Sequence, residues 1–179
     1  YTTSGSVKNF SQPTASVKIS NGTWDLRGNL QTFGRIYQIS QLRAATQNSE
    51  ITAQGDIEPG DKDIYLRLKS SGRVNAEDLS RLHPLLKTRL DRYGVAGRAG
   101  FQIHYTGPLK NWQKSAFTAS LQAPRLNILD ITGQNISLNA QQDEAGSNQS
   151  SLEANLYNGV VSAQGRLNAN CIEINGERG

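Results

Sequence analysis

The chain has 179 residues, 36% of them hydrophobic, and carries 19 Lys and Arg against 15 Asp and Glu for a formal net charge of +4. That length suffices for one domain with its own core, yet the apolar fraction is low for a globular domain, as expected if half of every strand faces water. One cysteine, Cys171, excludes an internal disulfide framework and a cysteine metal cluster, and no segment is long and apolar enough to cross a bilayer as a helix. With no Met and a start at Tyr1, the chain is expected to be a piece of a longer protein.

Residues 1–14 are polar and rich in Gly and Ser, and are expected to form a flexible lead-in to a single domain over 15–179. Strands then dominate, at 15–19, 23–30, 35–44, 50–57 and 63–70. One phrase recurs three times: "NGTWDLRGNL" from Asn21, "NSEITAQGDI" from Asn48 and "NGVVSAQGRL" from Asn158. Each places a turn pair first and then apolar residues with period 2, such as Trp24, Leu26, Gly28 and Leu30. Asn-Gly predicts a tight hairpin turn, since both residues accept positive φ. Gly28, Gly55 and Gly165, on the apolar face, are expected to let a wide sheet bend.

After "DIYLRLKSSG" the period changes. Asn75 is a good N-cap, Glu77 and Asp78 sit in the first turn, and Leu79, Leu82, Leu86, Leu90 and Tyr93 recur at spacings of three and four. This predicts one helix over about 76–93, interrupted by Pro84 and ended by Gly94 at the C′ position. Between Arg73 and Lys114 eight Lys and Arg face three Asp and Glu. A solvated helix face accounts for that excess; phosphate headgroups or nucleic acid are the alternatives.

Strands resume at 95–105, 116–123, 125–132, 134–140, 151–157 and 160–168, about eleven in all. Short turns between them predict an antiparallel meander. Cys171 reads as a small apolar strand residue.

Catalytic signatures are missing: there is no phosphate loop, dinucleotide fingerprint, nucleophile elbow or zinc-protease helix. His83 and His104 read as surface histidines. Asp61 and Asp63 form an Asp-x-Asp too sparse in oxygen ligands for a cation, and Asp130 reads as an outward strand position. Trp24, Phe101, Tyr105, Trp112 and Phe117 are not interleaved with basic residues as a nucleic-acid platform requires. No catalytic residue, metal site or cofactor is predicted, nor any nucleic-acid partner, and the chain is expected not to be an enzyme.

The order of motifs resembles the AsmA-like family of Gram-negative bacteria, the relatives of AsmA and TamB. The matching elements are the leucine run Leu79 to Leu86, the Gly- and Ala-rich strand Val95 to Tyr105, the turn Gly107-Pro108-Leu109, and the closing phrase from Leu156 to Leu167. The resemblance covers roughly residues 15–168. It implies a long, strongly curved antiparallel sheet, an open β-taco or trough, held in the periplasm by an N-terminal inner-membrane helix that this chain lacks. It also implies passage of phospholipids between inner and outer membranes, as in bridge-like lipid transfer proteins, with possible links to outer-membrane protein assembly.

On this reading the mainly β chain is a segment of a lipid conduit. The expected groove residues are Trp24, Leu26, Ile51, Leu66, Leu68, Phe101, Ile103, Phe117, Leu121, Ile136, Leu138, Leu152, Leu156 and Val161, with the helix closing one opening or covering part of the face. The alternative is a non-catalytic structural or docking β-domain in outer-membrane biogenesis, whose apolar face is its core.

Overall fold

The computed structural model describes residues 2–8, 14–20, 24–82, 84–129, 131–157, 159–168 and 171–178. Twelve strands follow one another in a single antiparallel meander: β1 (Thr2–Lys8), β2 (Thr14–Ser20), β3 (Asp25–Phe33), β4 (Ile36–Ala45), β5 (Glu50–Pro59), β6 (Ile64–Asn75), β7 (Ala96–Pro108), β8 (Ala116–Ile128), β9 (Ile131–Gln142), β10 (Asn148–Leu156), β11 (Gly159–Asn168) and β12 (Cys171–Arg178). Each pairs only with its neighbours in the chain, and β1 does not pair with β12, so the sheet is open. The mainly β, antiparallel reading holds. Within the expected lead-in, Thr2–Lys8 form β1, which pairs along its whole length with β2. Backbone hydrogen bonds at a sheet edge need no apolar side chains, so a polar Thr/Ser/Gly segment can supply them.

The helical interruption lies between β6 and β7 as α1 (Ala76–Leu82) and α2 (Pro84–Arg92). Asn75 caps α1 through its side-chain oxygen, which accepts from the Glu77 amide at 2.9 Å. Pro84 opens α2 where a missing N–H costs nothing. Gly94, at φ 54°, ends it, with the Val95 amide reaching back to the Leu90 carbonyl at 2.9 Å.

Phase slips in the apolar pattern are absorbed by bulges. In β4, Tyr37 and Ile39 share a face with Leu42 and Ala44 because the register shifts between them. In β8, Phe117, Ala119, Leu121 and Ala123 precede Pro124, after which Leu126 and Ile128 return to the same face. Opposite Pro124 stands Asn135, at φ 50°, beyond which β9 changes phase in step. The predicted strands 116–123, 125–132 and 134–140 are therefore two: β8 runs through Pro124, β9 through Asn135. The chain reverses at Leu129, whose φ is 49°. A one-residue slip in alternation looks like a strand end in sequence, whereas a bulge continues the ladder.

The repeated turn phrase also resolves differently. Leu156 pairs with Gly159, so Gly159 already belongs to β11 and the chain turns from Tyr157, at φ 48°. Ala45 pairs with Glu50, and the four-residue loop between them is closed by Thr46, whose hydroxyl accepts from the Asn48 and Ser49 amides at 3.1 and 2.8 Å. The Asn21-Gly22 pair lies outside the described residues.

Gly55 has φ 154°, and a Cβ there would run into the Arg67 carbonyl of the adjoining strand. Only glycine allows the two backbones to approach this closely. Gly55→Ala is expected to lower stability by roughly 2 kcal/mol in denaturant titrations. Gly34→Ala, in a turn with open space around it, should cost less than half as much. Equal midpoints for the two variants would contradict this assignment.

Candidate functional site

Register and alternation sort the side chains of β3 to β11 onto two unlike faces. One unbroken row crosses all nine strands: Leu26, Ala44, Ile51, Gly72, Phe101, Leu121, Leu138, Leu152 and Ala163, each paired with the next. The rows beside it are almost as apolar. Ile39, Gly55, Leu68, Tyr105 and Phe117 form one, and Tyr37, Ile57 and Leu66 extend another. The opposite face carries Arg43, Gln54, Lys69, Arg73, Gln102, Thr118, Asn139, Gln149 and Gln164. Its ion pairs are exposed, Arg43 with Glu50 at 2.7 Å and Arg67 with Glu58 at 3.7 Å, and water screens them so that they add little to stability.

Thirteen of the fourteen residues predicted to line a groove fall on this apolar face. Leu26, Ile51, Phe101, Leu121, Leu138 and Leu152 share the central row; Leu66, Leu68, Ile103, Phe117, Ile136, Leu156 and Val161 lie in rows beside it. Trp24 stands apart. It is 6% exposed at the helical end of the sheet and donates its indole N–H to the Asp78 carbonyl of α1 at 3.3 Å. Leu30, which the sequence alternation already places on the apolar side, shares this face with Ile39, Leu42, Ile57 and Leu126, and the expected groove set omits all five. The bulges near Ser40 and Pro124 hide two of them, by breaking the alternation that would have revealed them.

Among the described residues nothing covers the apolar face. Among the described residues the buried apolar side chains are Trp24, Ala76, Ala99, Ala123 and Ala154, so no Leu, Ile, Val or Phe is fully buried. Ile103, Leu138 and Val161 remain 37%, 39% and 41% exposed in mid-face. A second sheet packed about 10 Å away would bury such side chains. The total accessible surface, 12895 Å², tells the same story, because a compact monomer of this mass exposes about 8,500 Å².

Both ends of the sheet are tied by polar clusters. At the helical end the buried Asp78 carboxylate accepts from Ser49 Oγ at 2.6 Å and Thr46 Oγ1 at 2.5 Å, while Ser49 Oγ accepts the Asn75 amide at 2.9 Å. These bonds join the β4–β5 loop to α1 beside Trp24. Burial opposes ionisation of Asp78, but the Ser49 and Thr46 hydroxyls, aided by Arg81 and Arg98, outweigh it and hold the carboxyl below its usual range. At the far end Gln142 directs its side-chain amide at the Ser115, Trp112 and Gln113 carbonyls, at 2.8, 3.1 and 3.3 Å. Asp63 accepts the Lys110 and Ile64 amides at 3.0 and 2.8 Å, and the Lys110 amide is the main reason its carboxyl is also lowered.

Asp63 serves as a staple between two turns, and among the described residues no three His, Cys, Asp or Glu gather as a metal would need. His104 is exposed on the polar face, while His83 and Asp130 lie outside the described residues. An open depression of about 820 Å³ over β8–β11 is lined mainly by polar side chains such as Thr118, Asn139, Gln149 and Gln164. No described helix is long and apolar enough to cross a membrane. No protein-family model, curated protein or solved structure matches the chain.

The lowered carboxyls give stability a direction with pH. Asp78 and Asp63 are more acidic folded than unfolded, so their contribution is present above about pH 4 and is lost as pH falls through the folded values. The melting temperature is therefore expected to be flat from pH 7 to 5 and to drop below about pH 4. In Asp78→Asn that drop should be shallower; an unchanged acid profile would show that Asp78 is not a stabilising anion.

Proposed function

We propose that the chain is a segment of a periplasmic lipid-transfer trough, in which the apolar face shields phospholipid acyl chains on their way between the inner and outer membranes. The observation that carries this reading is the uncovered row from Leu26 to Ala163, continuous over nine strands. Exposing an acyl chain to water costs about 0.8 kcal/mol per methylene, on the order of 20 kcal/mol for a diacyl lipid. A face made mainly of Leu, Ile, Phe, Ala and Gly, with only scattered hydroxyls such as Ser70 and Ser150, removes most of that cost.

The resemblance to AsmA-like proteins supplies the setting: the periplasm, an inner-membrane anchor outside this chain, and phospholipid as cargo. The open edges at β1 and β12 are where adjoining parts of the same trough would extend the sheet, or where an outer-membrane assembly partner would add a strand.

Purified protein is expected to carry phospholipid detectable by native mass spectrometry. Leu138→Asp, in mid-row and already 39% exposed, should stay folded by circular dichroism and hold on the order of ten-fold less lipid. Asn139→Asp, on the polar face, should hold as much as the parent. Lipid-free parent protein, or equal lipid in Leu138→Asp, refutes the conduit; unfolding of Leu138→Asp favours a covered core instead.

A further inference from the structure

The helical end of the sheet exposes apolar groups that neither the row nor the end cluster uses. No residue of α2 is buried. Leu85 is 69% exposed, and Leu86 and Tyr93 are exposed beside it. The tip of the β8–β9 hairpin joins them: the Leu129 amide donates to the Tyr93 carbonyl at 2.9 Å, and Leu129 is itself 58% exposed. A helix and a hairpin tip thus form one apolar rim. Tyr157 and Val160, on the next hairpin tip at this end, are exposed as well.

The charge on α2 is net positive. α2 bears Lys87, Arg89 and Arg92 against Asp91, and Asp91 is taken by Lys87 at 2.5 Å. Arg89 lies four residues from Leu85 and three from Leu86, so the cation and the two leucines share a face. The Arg92 guanidinium stands 5.7 Å from the Tyr93 ring centre. Leucine and tyrosine beside arginines that form no ion pair among the described residues match the boundary of a bilayer, where acyl chains meet anionic headgroups.

We propose that this rim seats the helical end of the sheet on an anionic phospholipid surface, with Leu85, Leu86, Tyr93 and Leu129 entering the headgroup layer and Arg89 and Arg92 pairing with phosphates. The inference rests on the conduit reading: it lays one long side of the apolar face, where the strands end beside the helices, along the membrane that supplies or receives lipid. Binding is electrostatic in part, so it weakens as salt rises.

The test is flotation of the full chain with vesicles of phosphatidylglycerol and phosphatidylcholine, compared with phosphatidylcholine alone. The parent should float with the anionic vesicles and much less with the neutral ones. Arg89→Glu with Arg92→Glu is expected to weaken partitioning about ten-fold or more. Leu129→Asp should weaken it several-fold without loss of fold, since Asp tolerates the left-handed turn. Copurified phospholipid, measured on the same samples, should not change in either variant. Equal flotation of the double-Glu variant, or no preference of the parent for anionic vesicles, overturns the proposal even if lipid copurifies. A parent that floats but carries no lipid overturns the conduit and leaves the docking rim standing.

Discussion

Everything in this fold depends on keeping one face apolar across strands that slip in phase. A shift of one residue in any pairing sends that strand's apolar side chains into water and its polar ones onto the greasy side. The chain meets this demand with irregularity. The register shifts near Ser40, at Pro124 opposite Asn135, and beyond Glu153 each correct a phase that perfect alternation would have lost. Bulges also increase local twist, so the devices that preserve the face help to curl it.

A face kept at such expense and then left open is unusual for a water-soluble sheet. Antiparallel sheets ordinarily bury their apolar side against a second layer. Here α1 settles only at one end, over Trp24, and α2 packs on α1 and not on the strands. Stability is drawn from ladder hydrogen bonds, side-chain contact along the rows and the two polar end clusters. That division leaves the middle of the face free for a ligand without making the fold wait on it. Mid-face residues such as Leu138 lie in a row that no bulky polar side chain interrupts, which would suit the sliding cargo we propose.

Much of this was legible in the sequence. The alternation in Leu66 and Leu68, in Phe101 and Ile103, and in Leu121 marked one face, and Asn75, Pro84 and Gly94 marked the helices, because both signals are local. The hairpin at Leu129 was hidden inside the apolar run "LNILDITG", where a non-glycine residue takes positive φ. The role of Asp78 was equally invisible. Its partners Thr46 and Ser49 lie 32 and 29 residues away, and only the folded meander brings them to the first turn of α1. β1 was passed over because its contribution is backbone pairing, which leaves no mark in polarity.

The central claim is that the apolar face meets acyl chains while the opposite face meets water. The most direct measurement is site-specific photocrosslinking, with a photoreactive amino acid placed at Leu138 in one sample and at its neighbour Asn139 in another. The two positions share a strand and differ only in the side to which they point. Crosslinks to phospholipid from position 138 and none from position 139 are the predicted result. Equal labelling from both positions, or labelling from neither, would contradict the account.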